Sequence, residues 1–391
     1  MNQQRIRESI ESLQSYCESQ GFKGWDPYDA LNSPLLTAFA FKNKYLRAGF
    51  TQLLRILPIN IRPIIGIKKG FNPKGIGLFL ESYSKLYSID PKEEYIAIIS
   101  FLLDILEETK SKGYKGNCWG YNFPWQSRVV YKPRWTPTIV NTAFIGHALL
   151  TCYELTGIES ALRMAESIPN FMLSDLNRDK RGDSFCMSYS PVDQEFVHNA
   201  NMLGASFLVR MGKKVKREDL IDFAHKSLSY SLNKQNSDGS WFFADVSTHQ
   251  WIDSFHTGFK LESIRWFIDL GEGEQYLNQF KNGVAFYQKR FFLKDGTPKY
   301  YHNQTFPIDI HAPSEAIYFF SRFSDKASQD LTETILDWTL AQMQNVKNGS
   351  FYFRKGKKTL NKVPYMRWTQ AWMMRGLSEY QYNLFNRNQN G

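Results

Sequence analysis

Two kinds of apolar pattern alternate along this chain. The stretches TPTIVNTAFIGHALL, EFVHNANMLGASFLV, WIDSFHTGFKLESI, PIDIHAPSEAIYFF and PYMRWTQAWMMRGL each open on polar residues and continue as apolar and small ones. Such runs predict helices buried on most sides. Between them lie segments such as EDLIDFAHKSLSYSLNKQ and SQDLTETILDWTLAQMQ, with apolar residues at i, i+3, i+4 and i+7. That spacing predicts helices with one face on a core and one in water.

The first kind recurs with a fixed register. One polar residue from each start can be lined up, namely Asn141, His198, His256, His311 and Arg367, with successive separations of 57, 58, 55 and 56 residues by subtraction. A period of roughly 56 residues fits two helices and their connections, since helices usually run about 8–20 residues. Two weaker copies precede these, WDPYDALNSPLLTAF (Trp25–Phe39) and FNPKGIGLFLESYSKL (Phe71–Leu86). The expected fold is all-α, one (α/α)6-type toroid over residues 1–391. Residues 24–90 would hold the degenerate first hairpins and 114–380 the regular ones, with inner helices pointing their N-termini to one end.

Turn signals punctuate the repeats. QNSDGSWFFAD (Gln235–Asp245) joins an Asp-Gly turn to an aromatic cluster, and similar devices occur at Gly182–Phe185, Asp295-Gly296 and Asn348–Tyr352. Asn-Gly and Asp-Gly supply the positive φ of tight turns. Short β-hairpins or loops are therefore expected at one rim of the toroid. Two readings of their aromatics stay open: Trp241, Phe185 and Phe351 line a shared cleft, or they plug gaps between hairpins.

One segment departs from the pattern. Residues 47–75 mix Leu and Ile with Arg47, Arg55, Arg62, Lys68 and Lys69 and carry Pro58, Pro63 and Pro73. It reads either as a peripheral contact with an anionic inner-membrane surface or as a packed insertion with solvated charges.

Composition narrows the class. The 391 residues are 42% hydrophobic and 16% aromatic, enough for a large core, and no apolar run reaches the length of about 18 residues that a membrane span needs. No signal peptide is read at the start. Four scattered cysteines without a Cys-x-x-Cys pair fit reduced thiols in a cytoplasm. The net charge of +10 favours an anionic partner, yet no nucleic-acid motif or long basic tract is present. No cofactor or metal motif is visible, and none is expected.

GWDPYDALNSP, RPIIGIKKGFNPKGIGLFLESY and NSDGSWFF together resemble a family of bacterial proteins encoded in capsule and exopolysaccharide biosynthesis clusters, some of which are labelled delta-aminolevulinic acid dehydratase. The resemblance covers about Gly24 to Leu377. It implies a six-hairpin fold and a place in polysaccharide assembly or modification, beside other capsule-assembly proteins. It carries no transferable set of catalytic residues.

The chemistry therefore rests on residue types. A lyase or C5-epimerase acting on a uronic-acid-containing glycan removes the proton beside a carboxylate, which must be neutralised as charge spreads onto it. Asn199 or Arg367 would hold that carboxylate, His198 or His256 would act as base, and Tyr189 or Tyr365 as acid. A glycoside hydrolase would instead need two carboxyl groups about 5–9.5 Å apart, from among Asp29, Asp193, Glu195, Asp253 and Asp309. Substrate binding is expected from the aromatic-basic stretch with Trp119, Tyr121, Trp125, Arg128 and Arg134, together with Asn141, Trp241 and His311, and that stretch fits an enzyme and a non-catalytic glycan-binding module equally well. Isoprenoid-cyclase Asp-rich motifs are missing, and no Cys/Cys/His spacing suggests zinc. The expected partner is an acidic polysaccharide or a lipid-linked oligosaccharide.

Overall fold

The computed structural model describes residues 3–40, 43–127 and 130–390. Fifteen α-helices carry the described chain: α1 (Gln3–Ser19), α2 (Pro34–Ala40), α3 (Lys44–Ile56), α4 (Pro73–Ile89), α5 (Glu93–Glu108), α6 (Ile139–Thr156), α7 (Glu159–Glu166), α8 (Ile168–Ser174), α9 (His198–Val215), α10 (Glu218–Leu232), α11 (Ser254–Asp269), α12 (Leu277–Phe291), α13 (His311–Ser321), α14 (Lys326–Met343) and α15 (Trp372–Asn390). A π-helical turn, Met366–Ala371, leads into α15.

The inner helices are α4, α6, α9, α11, α13 and α15. Each packs on the next, and α15 packs back on α4, so the ring closes. Their outer partners are α5, α7–α8, α10, α12 and α14, while α1, from the start of the chain, packs on α15 and completes the sixth hairpin. The expected toroid is thus the fold observed. The stretch Trp25–Phe39, read from sequence as a weak hairpin, instead forms a 3-10 turn (Asp29–Asn32) and most of α2, outside the ring.

Local chemistry starts the inner helices where the sequence suggested. Asn72 caps α4 ahead of Pro73, Thr138 caps α6 through the Asn141 amide, and Asp253 caps α11 through the His256 amide. Small residues then let inner helices approach closely. A Cβ on Gly258 would lie 2.5 Å from Glu315 Cγ, and one on Gly77 2.9 Å from an Ile145 carbon.

The short strands sit in the connections: β1 (Trp125–Gln126) pairs with β2 (Tyr131–Lys132), β3 (Arg178–Arg181) with β4 (Ser184–Met187), and β5 (Ile308–Asp309) with β6 (Arg354–Lys355), which pairs with β7 (Leu360–Asn361); every pairing is antiparallel. Gly182 turns the β3–β4 hairpin at φ +59°. In the Gln235–Asp245 stretch Gly239 adopts φ +90°, and Asp238 accepts the Ser240 amide.

Those turns deliver wedges, not cleft walls. Trp241 and Phe351 are fully buried, and Trp241 donates its indole N–H to Ser231 O of α10. Phe185 packs edge-on against Phe223 of α10. Of the two readings of the turn aromatics, the plug is the one found.

A further layer covers the end where the inner helices begin. Residues 24–72 carry α2 and α3 across it around a small core of Ala30, Leu54 and Ile67, distinct from the main core. Trp25 donates to Ile67 O, Asn361 donates to Leu57 O, and Arg62 bonds both Asp29 and the Tyr365 hydroxyl. Asn361 and Tyr365 thus tie the cap to the toroid by polar contacts, and Trp25, Tyr28 and Phe71 of the cap pack against the main core.

Candidate active site

Side chains from the first turns of the inner helices meet at the toroid axis beneath the cap. Their common floor is aromatic. The Phe259 ring lies 5.6 Å from Lys74 Nζ, 5.9 Å from the His256 ring and 5.8 Å from the His311 ring. Phe144 and Trp372 complete that floor, with Lys74 Nζ 4.3 Å and 5.0 Å from their centroids.

His256 is held by the residue that starts its own helix. Asp253 Oδ1 accepts the His256 amide at 3.0 Å, and Oδ2 lies 2.7 Å from His256 Nδ1. Asp253 is buried and also accepts from the Trp251 indole. A carboxylate on Nδ1 fixes the tautomer with the proton there. His256 Nε2 has no hydrogen-bond partner among the described residues and is left as an acceptor.

In the first turns of other inner helices, buried polar atoms lack partners among the described residues: both side-chain polar atoms of Asn141, Asn199 Oδ1, and both ring nitrogens of His311. The His311 ring lies 4.6 Å from Trp368, and Phe255 stacks on it at 4.5 Å. Burial, with Lys74 and Arg367 nearby, keeps its pKa well below the ordinary histidine value, so the ring is neutral. Lys74 has no acceptor for its ammonium among the described residues. Burial first, then the charges of Arg367 and Arg375, hold its pKa well below the usual lysine range. Lys74 escaped the sequence reading because it stands outside the 56-residue register; its signal was the Asn-Pro-Lys run, a capped helix start.

Below the floor an ion network seals the axis. Arg375 bonds Glu81 at 2.9 Å and Glu262 at 2.5 Å and reaches Glu315 at 3.4 Å, and Lys85 binds Glu81 and Glu379. Desolvation, then the neighbouring Glu262, pushes the Glu315 carboxyl well up. The network closes the floor of the site against the far end of the toroid.

Other expected site residues lie elsewhere. His198 opens α9 but turns outward, with Nε2 2.9 Å from Asp245 and Nδ1 3.3 Å from Ser231 of α10. Each helical residue rotates the side chain by about 100°, so Asn199, one position on, points in a different direction from His198. The Arg367 fork is occupied by Asp26, through Nε at 2.6 Å and Nη2 at 2.8 Å, and no second carboxylate can share that grip. Tyr365 is buried with its hydroxyl accepting from Arg62, and burial pushes its pKa up to about 12. That hydroxyl is committed to fastening the cap. Trp119 is a core residue donating to Leu106 O, and Trp241 is the wedge described above, so neither offers a face to a sugar.

The aromatic-basic stretch divides in two. Tyr121 stacks on Phe123 at 5.0 Å and lies 5.1 Å from the Arg367 guanidinium, while Trp125 and Tyr189 flank Lys132. Burial keeps the Tyr189 hydroxyl protonated. Arg134 is exposed and bonds Asn32 at 2.7 Å on the cap. Arg128 falls outside the described residues. A narrow pocket reaches in from this flank, lined by Asp26, Asp29, Asn72, Gly75, Asn122 and Arg367.

The rim carboxylates considered for hydrolysis are each engaged: Asp29 by Arg62, Asp193 and Glu195 by Lys132, Asp253 by His256, and Asp309 by Arg354 and the Trp368 indole. Among the described residues no group of three or more His, Cys, Asp or Glu side chains is arranged to hold a metal ion. Nor is any described helix long and apolar enough to cross a membrane.

No family model and no curated protein matches the chain. Solved structures do. Cellobiose 2-epimerase from Bacillus thermoamylovorans superposes with TM-score 0.62 at 15% identity, over 81% of this chain and 88% of that one. A GH76 alpha-mannanase from Bacteroides thetaiotaomicron gives TM-score 0.61 at 14% identity, over 82% and 88%. An unsaturated glucuronyl hydrolase specific for heparin gives 0.57 at 13%, over 80% and 87%. These neighbours are carbohydrate-processing enzymes with the (α/α)6 toroid, and the likeness establishes that fold for this chain.

Proposed function

We propose that this protein is a carbohydrate-active enzyme that abstracts a proton from an acidic sugar, as an epimerase or lyase acting on a uronic-acid-containing glycan. The observation that carries this reading is the oriented Asp253–His256 pair beside buried polar groups that lack protein partners. Native interiors pair nearly all such groups, and the unpartnered side chains of Asn141, Asn199 and His311 all stand in the first turns of inner helices, which favours a site that receives a polar ligand there.

The chemistry follows from the residues. His256 Nε2 takes the proton from the carbon next to the sugar carboxylate, and Asp253 stabilises the imidazolium that results. Charge then spreads onto the carboxylate. Lys74 answers it, since an anion arriving beside a buried amine favours the protonated form. Asn141 and Asn199 donate side-chain N–H groups to the same oxygens or to sugar hydroxyls. Neutral His311 can give a proton from one nitrogen, and Tyr189 is a second acid at the rim. In an epimerase that proton returns to the opposite face of carbon 5; in a lyase it leaves with the departing oxygen.

Hydrolysis is disfavoured because each rim carboxylate already has a cation or donor on it. The neighbouring folds, the resemblance to capsule and exopolysaccharide proteins and the basic charge together favour an acidic bacterial glycan or its lipid-linked precursor, met in the cytoplasm. The test is incubation with polyuronates and lipid-linked uronosyl oligosaccharides in deuterated water. Deuterium at carbon 5 marks epimerisation and an unsaturated product marks a lyase, whereas new reducing ends without either point to hydrolysis and overturn the assignment.

A further inference from the structure

The cap presents an unusual surface. Between Ala30 and Leu80 the chain has eight Lys or Arg and no Asp or Glu. Among the described residues fifteen large apolar side chains are strongly exposed, and eight of them fall between Leu35 and Ile64. A soluble monomer scatters such side chains singly; here over half of them fall within one short segment.

Helix α3 shows how the surface is made. Thr51 and Leu54 face inward to the small cap core, while Tyr45, Leu53 and Ile56 are exposed at i, i+8 and i+11, which is a single helical face. Phe39 at the end of α2 is 79% exposed, and Ile64 in the loop after α3 is 81% exposed. Lys44, Lys68 and Lys69 are exposed within the same acid-free stretch. Apolar side chains set among cations with no intervening anion are complementary to a surface with negative headgroups over hydrocarbon. A protein partner with an apolar face would not require the acid-free charge balance.

We infer that the α2–α3 cap docks on an anionic phospholipid bilayer, with its apolar face entering the headgroup boundary. The inference stands on this surface alone and does not depend on the reaction assigned to the axial site. Docking there sets the covered end of the toroid against the membrane.

The experiment is vesicle co-sedimentation of the full chain. Phosphatidylcholine vesicles containing about one third phosphatidylglycerol should pellet the protein, pure phosphatidylcholine vesicles should not, and added salt should weaken the binding. The double variant Leu53→Asp/Ile56→Asp, on exposed positions, should lose at least tenfold in partitioning with an unchanged melting temperature. Lys44→Glu should weaken it about fivefold or more, from about 1 kcal/mol per basic residue near an anionic surface. Equal binding to both vesicle types, or undiminished binding by the double variant, overturns the inference. So does a wild-type dimer that the double variant converts to monomer with no vesicle binding in either, which would give the face to a second copy of the chain.

Discussion

Asp253 holds His256 twice, accepting the backbone amide on one oxygen and lying 2.7 Å from ring Nδ1 with the other. One carboxylate thereby starts the helix and sets the imidazole tautomer. Asn in its place can still cap the helix but cannot stabilise the imidazolium. Asp253→Asn should lower kcat by about 10²–10⁴-fold with melting within a few degrees of wild type. Steady-state kinetics with calorimetry on the same sample checks both halves.

Lys74 makes the opposite trade. Its amine is buried over Phe144, Phe259 and Trp372 with no acceptor among the described residues, which costs stability. Lys74→Met should therefore melt at or above the wild-type temperature, a gain of ~1–3 kcal/mol, while binding of acidic sugars falls at least tenfold. Calorimetry and titration with a uronate oligosaccharide distinguish this from a merely structural lysine, whose loss would leave binding intact.

Arg375 is structural. Replacing it with Met leaves Glu262 and Glu315 without their cation in the core and Glu81 with Lys85 alone, and breaking a buried network of this kind costs about 3–5 kcal/mol. Urea unfolding should show the loss.

Lys260 gives a pH signature. Burial lowers its pKa to about 8, and its ammonium donates to Trp241 O and Phe242 O. The folded value lies below the unfolded one, so the unfolded chain binds more protons between them. Stability from this group therefore rises as pH goes from about 8 to about 10.5, by up to about 3 kcal/mol. Lys260→Met should lack that rise, which parallel urea titrations across the window will register.

The closed ring was legible because repetition carries it. Asn141, His256 and His311 recur at one period, and each stands in the opening turn of an inner helix. The side-chain directions were not legible. A single residue of register separates His198, which faces α10, from Asn199, and periodicity counted in tens of residues cannot resolve that rotation. Pairing across the chain was equally hidden. Asp26 and Arg367 lie 341 residues apart, and only the closed ring brings them together. Trp119 and Trp241 share a composition with sugar-stacking residues but are consumed by packing.

Whether His256 moves a proton at a sugar carbon is read out by reaction of wild type and His256→Gln with the same acidic glycan in deuterated water. Wild type should place deuterium at carbon 5 or, as a lyase, release a 4,5-unsaturated sugar, and the variant should do either at a rate at least a hundredfold lower. Equal incorporation by both proteins, or glycan cleavage by wild type that places no deuterium on carbon and yields no unsaturated sugar, would contradict that role for His256.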